Sequence, residues 1–298
     1  MNELLKAIEE WIADFEKFFL SAQADLNKKV RRAEASIYRG LIADLIPALK
    51  IEEGRIKNTI SNLAKASLIE RVFDEAGRNE TNLLVKDYAA YLIEISGKNA
   101  EYYYSIGIDR EKVAAIAESV DLIRRVIGID EAGELVRSGY LYRLAAAESV
   151  REQVKQYVLT SIASGQSLKQ FQSGLKGLVQ GSNDVNGALL QYWDNYAYDQ
   201  FNRVREINNL HFKDEIGLKY FVYQGGLIRT SRAFCVKKNG KVFSEEEAVR
   251  NWPNDPDLID KAHVATYNPL IDRGRYNCRH FLMWISEEMA NELKQQQA

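Results

Sequence analysis

The sequence predicts an α+β fold, helical in its first part and mixed towards its end, and three observations predict it. Apolar residues recur at three- and four-residue steps from Leu4 to about residue 213. After Gly217 the period drops to two, as a strand requires. Of four prolines, Pro253, Pro256 and Pro269 fall in the last fifty residues, where long helices cannot continue. The expected organisation is a helical N-terminal region over 1–148 and a C-terminal domain over 149–298. The latter divides into helices over 151–213 and a small α+β unit with a β-hairpin over 214–298.

The elements follow in order. Leu4, Leu5, Ile8, Trp11, Ile12, Phe15, Phe18 and Phe19 form one stripe of a helix that runs past Ile37, Leu41 and Leu45 and stops at Pro47. Ile56, Ile60, Leu63 and Ile69 predict a second helix, punctuated by Gly77 and Asn79. Apolar and aromatic residues from Asp87 to Ser96 and near Tyr102 predict a third. Asp109 is an N-cap for a fourth, with Val113, Ile116, Val120, Ile123 and Ile127 on one face and Gly128 past its end. Further on, Val154 to Ile162 ends at Gly165, and the capping box Ser167-Leu168-Lys169-Gln170 opens a helix to Gly181. A longer helix carries Leu189, Trp193, Ala197, Phe201, Val204 and Ile207 and ends near His211 to Lys213.

Alternation at Leu218, Tyr220 and Val222, the turn Gln224-Gly225-Gly226 and the run Leu227 to Thr230 predict a hairpin. A second turn follows at Lys238-Asn239-Gly240-Lys241. Ser244 with Glu245, Glu246 and Glu247 opens a short helix that ends at Trp252-Pro253; acidic residues suit a helix N-terminus. Cys278 to Ile285 reads as a strand with Cys278, His280, Leu282 and Trp284 on one face.

Composition narrows the function classes. Forty basic and forty-two acidic side chains leave a formal charge of −2, so any DNA contact is local. Two cysteines cannot build a disulfide framework, and the acidic N-terminus does not resemble a secretory signal. Cytoplasmic conditions are expected, and no run of about 18 apolar residues predicts a membrane span. No Gly-rich, Lys-terminated loop for cradling a nucleotide occurs.

Cys235, His263, Cys278 and His280 form a C2H2 set, and Cys278 and His280 lie two apart on one strand face. Tetrahedral zinc is one reading, as a staple for a loop-rich unit with little core. A Cys235–Cys278 disulfide is a second. Two buried thiols acting as small hydrophobes, with hydrogen-bonded imidazoles, is a third. Arg229, Lys237, Lys238 and Lys241 are candidate contacts for DNA phosphates or an acidic partner, whereas Arg232 and Arg279 suit buried donors to Asp272 or to backbone carbonyls.

The ordered series "YQGGLIRTSRAFC", "GKVFSEEE", a Trp-Pro linker and "NPLIDRGRYNCRH" resembles the C-terminal domain of MuF-type phage head morphogenesis proteins, the minor head or minor capsid proteins. The matching positions are Thr230, Ser231, Arg232, Cys235, Gly240, Cys278, Arg279 and His280, and the likeness covers roughly residues 150–298. Many members carry a Pro-x-His-Pro element before the final Cys; this chain has Asp272-Arg273-Gly274 there, with His263 earlier. The resemblance implies a low-copy, non-enzymatic virion component at the portal vertex or capsid interior, present in host cytoplasm during assembly. It implies binding to portal or major capsid protein, with a homo-oligomer on the portal ring as one arrangement, and a part in DNA packaging or ejection. Two rival expectations are an internal, DNA-binding or ejected virion protein and an ADP-ribosyltransferase-type toxin domain. For the latter, "RTS" and "EEE" stand in for its Arg, Ser and Glu-x-Glu elements. The aromatic residues Trp11, Phe15, Phe18, Phe19 and Tyr102 to Tyr104 are docking faces, the bundle's own core, or both on different faces.

Overall fold

The apolar stripe that opens the sequence forms one helix, α1 (Glu3–Gly40), which passes through a π-helical turn at Leu41–Leu45 into a last turn, α2 (Ile46–Ala48), containing Pro47. The computed structural model describes residues 3–76, 82–118, 121–258, 266–275 and 278–297. The helix expected from Ile56 begins later than its apolar spacing suggests. Gly54 takes a left-handed φ of 74°, and the chain folds back to pair β1 (Ile51–Glu52) with β2 (Arg55–Ile56), Ile51 facing Ile56. Helix resumes only where the Thr59 hydroxyl accepts from the Asn62 amide, giving α3 (Ile60–Ala64), a 3-10 turn and α4 (Leu68–Ala76). Gly77 and Asn79 lie outside the described residues.

The third expected helix is α5 (Asn82–Ser105). The fourth appears as α6 (Arg110–Glu118) and α7 (Asp121–Ile127), with Val120 outside the described residues. Its cap is as read: the Asp109 carboxylate accepts from the Lys112 amide at 2.9 Å. Then come α8 (Tyr140–Ala146), α9 (Glu148–Ala163), α10 (Leu168–Gln180) and α11 (Ala188–Ile216). Ser167 accepts from the Gln170 amide, as its capping box requires.

The last stretch is α+β. Its elements are β3 (Tyr220–Gly225), α12 (Ala233–Lys238), β4 (Lys241–Ser244), α13 (Glu245–Asn251), α14 (Pro269–Asp272), β5 (His280–Ile285) and α15 (Glu287–Gln297). The sheet order is β4-β3-β5, antiparallel throughout. The hairpin expected between 218 and 230 is corrected here. Residues 227–230 form no strand; Ser231 ties back to Ile228 through its amide and its hydroxyl, both at 2.8 Å, and closes a loop. The partner of β3 is β4, reached through α12 and the turn at Gly240, where φ is 76°.

Internal contacts divide the chain into two units that do not follow the expected division at residue 148: Met1–Leu20 with Tyr91–Val126 and Tyr198–Ala298, and Ser21–Ala90 with Ile127–Ala197. In the second unit Tyr88 is fully buried against Trp193, ring centroids 5.6 Å apart, and its hydroxyl donates to the Ala197 carbonyl. The carboxylate of Glu34, also buried, accepts from the Leu190 amide at 2.9 Å and so caps the first turn of α11. In the first unit the sheet is buried on both faces along β5. Tyr102 donates to the Trp284 carbonyl at 2.9 Å and Asn209 to the Leu282 carbonyl at 2.7 Å.

Those contacts decide between the two readings of the aromatic residues at Trp11, Phe15, Tyr102 and Tyr103. All four are buried inside the first unit. Trp11 stacks on Phe15 at 5.2 Å, both meet Phe281, and Tyr103 stacks on Phe212 at 5.1 Å. They are core. Beside them a charged group is fully enclosed: the Arg205 guanidinium lies 3.9 Å from the Phe281 ring centroid and pairs with Glu206, which also receives a hydrogen bond from Arg273 at 3.3 Å. Burial holds Arg205 down to about 10 although Glu206 works the other way.

Candidate metal centre

The register of the sheet sets the site. Tyr223 faces Leu282 and Gly225 faces His280, so Tyr223 and His280 lie diagonally on one face. Their rings stack, with centroids 4.8 Å apart and planes 8° from parallel. Gly225 is required at this crossing, because a Cβ there would stand 2.5 Å from the Arg279 carbonyl oxygen. α12 turns Phe234 and Cys235 inward, and Phe234 meets Trp252 edge-on at 5.3 Å. Cys278 enters from the other side, two residues before β5.

Cys235, Cys278 and His280 thereby come together, all buried, with their ligating atoms within 4.8 Å of one another. The two Sγ atoms are 3.9 Å apart, and the Tyr223 hydroxyl is 3.4 Å from Cys235 Sγ and 3.3 Å from Cys278 Sγ. Both cysteines are free thiols. The hydrogen bond from the Cys235 thiol pulls Cys278 well below the ordinary thiol range against its own burial; His280, Arg273 and Tyr223 add to that effect. The same bond, together with burial, pushes Cys235 up. Two sulfurs joined by a hydrogen bond, one of them shifted towards the thiolate, form a donor set suited to a soft or borderline cation.

A further observation fits a metal. His280 is 2% exposed, and although it leans towards Cys278, neither ring nitrogen completes a hydrogen bond of normal geometry. Buried imidazoles without partners are costly. A Cβ on Gly274 would stand 2.6 Å from Cys235 Sγ and 3.1 Å from Cys278 Sγ, so the turn before Cys278 packs closely on both sulfurs and admits only glycine. The group can bind a metal, and Cys2His chemistry is compatible with zinc.

The other residues singled out in the sequence separate into groups. His263 lies outside the described residues. Arg232 donates to the Gly274 carbonyl at 2.5 Å, the carbonyl role expected of it. Arg279 is exposed, so its expected buried role is corrected: β5 begins one residue later, and the preceding backbone turns this side chain outward. Asp272 accepts from the Asn268 amide at 2.7 Å, Gly240 donates its amide to the Tyr223 carbonyl, and Arg229, Thr230 and Lys241 are exposed. Lys237 and Lys238 pair with Asp257 and Asp255, each at 2.5 Å. Glu245 receives a hydrogen bond from Lys213 at 2.7 Å, while Ser244 caps the amide of Glu247. Tyr223 and Gly274 complete the site without having been picked out: one reads as an alternating strand residue, the other as an ordinary turn glycine.

No protein-family model, curated protein or solved structure matches the chain.

Proposed function

We propose that this chain is a structural, non-enzymatic component of a phage head, of the MuF-type minor head class, which acts by binding portal or major capsid protein. The observation that carries this reading is the convergence of its resemblance-bearing segments. Arg232 and Cys235 from one, and Cys278 and His280 from the other, meet with Gly274 around one buried cluster. Zinc held by Cys235, Cys278 and His280 supplies a cross-link there, joining α12 to β5. A closed, buried cross-link of this sort stiffens a docking module and offers no route for substrate. The portal vertex or capsid interior is the place of action, with host cytoplasm as the place of assembly. A homo-oligomer on the portal ring and a contribution to packaging or ejection belong to the same reading.

The test is to purify heads made by the genetic element that encodes this chain and to look for the chain in them. A fixed number of copies per head, co-purifying with portal rings after disassembly, is expected. Complete absence from heads at every assembly stage overturns the proposal.

A further inference from the structure

We infer that the hydroxyl of Tyr223 is the fourth ligand of the metal centre, so that the site is closed by Cys235, Cys278, His280 and Tyr223 together. This rests on the metal reading above and adds the ligand that no cysteine, histidine or carboxylate supplies among the described residues.

The distances carry it. A tetrahedral ion with bonds of about 2.3 Å to sulfur and about 2.0 Å to oxygen sets its ligands roughly 3.8 Å apart for two sulfurs and roughly 3.5 Å apart for sulfur and oxygen. The protein has 3.9 Å between the sulfurs, and 3.3 and 3.4 Å from them to the Tyr223 hydroxyl. Three edges of one face of such a tetrahedron are therefore already in place. Gly274 packs close against this face: a Cβ there would stand 2.6 Å from one sulfur and 3.1 Å from both the other sulfur and the Tyr223 hydroxyl, so only a glycine leaves the three heteroatoms undisturbed. His280, buried and with neither ring nitrogen in a hydrogen bond of normal geometry, supplies the remaining vertex.

Rigidity supports the same assignment. Tyr223 is the central-strand residue of the sheet, paired on both sides, with its ring against Trp252 at 5.3 Å and Phe234 at 6.1 Å. Its oxygen is thus held over the sulfurs by the fold, as a ligand's must be. On coordination the phenol and the thiols give up their protons to solvent, and the oxygen and sulfur lone pairs form the metal bonds, with no electron transferred.

Cobalt(II) titrated into the full chain tests it, using wild type, Tyr223→Phe and His263→Gln. Wild type is expected to show thiolate-to-cobalt charge transfer, intense four-coordinate ligand-field bands and no response to azide. Tyr223→Phe keeps the ring and its stacking. It is expected to bind cobalt at least about 10- to 100-fold more weakly, since even outer-shell changes cost that much, and to change spectrum when azide takes the opened position. Two results overturn the inference while leaving the metal reading intact: a Tyr223→Phe protein unchanged in affinity, bands and azide response, or an azide-sensitive site created by His263→Gln instead. A wild-type chain that neither carries zinc nor gives charge transfer with cobalt overturns the metal reading, and this inference with it.

Discussion

Cys235 and Cys278, 43 residues apart in the chain, meet sulfur to sulfur at 3.9 Å beneath the hydroxyl of Tyr223. Nothing local brings them together; α12 and the approach to β5 do. On the proposed zinc reading, replacing either by serine removes a sulfur ligand beside the buried imidazole of His280. Zinc content by elemental analysis is expected to fall by roughly tenfold or more in Cys278→Ser. Chelator should lower the melting temperature of wild type and not that of the variant. Equal zinc in both proteins would refute the assignment.

Gly274 is expected to tolerate no side chain, although its backbone is not in the left-handed region. A methyl there stands 2.6 Å from Cys235 Sγ. Gly274→Ala should lose zinc and cost roughly 1–3 kcal/mol in denaturant unfolding, the usual penalty for overpacking. A neutral substitution that kept zinc would show that the turn can move aside.

Glu206 joins two guanidinium groups, those of Arg205 and Arg273, in full burial. Removing it leaves two enclosed cations, so Glu206→Ala is expected to destabilise by roughly 3–5 kcal/mol. Arg205→Met is expected to cost less. Methionine suits a site ringed by Trp11, Phe15 and Phe281, and Glu206 still keeps Arg273. The reverse order in equilibrium unfolding would contradict this account.

Glu34 provides a pH test. Burial raises its carboxyl above the ordinary range, opposed by the Leu190 amide bond and by Arg31. With the folded value raised, the unfolded chain releases this proton first, and native stability contributed by the group declines as pH climbs through the interval above about 4.5. Glu34→Gln lacks that decline. Its melting temperature relative to wild type is therefore expected to be more favourable at pH 7 than at pH 4, whereas Glu34→Ala should lose roughly 1–3 kcal/mol by orphaning the Leu190 amide. An identical difference at the two pH values would rule the mechanism out.

Lys238 separates a structural role from DNA binding. Its ammonium sits over the rings of Phe234, Phe243 and Trp252 and pairs with Asp255. Lys238→Ala is expected to lower stability by about 1–2 kcal/mol through lost packing and cation–π contact, with duplex DNA retention unchanged. Retention that falls steeply with salt and with substitution of Arg229, Lys237 and Lys238 would favour the internal DNA-binding reading instead.

Most of the helical part was legible because its signals are local. Asp109, Ser167 and Ser244 cap as their spacing demands, and the stripe from Leu4 to Leu45 continues through one helical run. The failures share a cause. Ile56 keeps helical spacing with Ile60 and Leu63, yet its amide bonds to the Gln166 carbonyl, a partner far away in sequence. Leu227 to Thr230 alternate as a strand would, but the positions on either side of β3 are filled by β4 and β5. Of the candidate centre, the cysteines and His280 were visible as residue types with metal-ligand potential. Tyr223 was not, because phenols in strands are common and only sheet register brings this one over the sulfurs.

The π-helical turn at Leu41–Leu45 amounts to one surplus residue lodged in a continuous helix. Because the wider turn absorbs that residue without rotating its flanks, excising a single amino acid there would restore ordinary pitch and leave both flanks facing as they do. Excision from the regular part of α1 would instead rotate everything beyond it by roughly 100° and unseat the buried stripe it carries. A one-residue deletion in the π turn that spares Leu41 and Leu45, both fully enclosed, should accordingly cost less than one elsewhere in the helix.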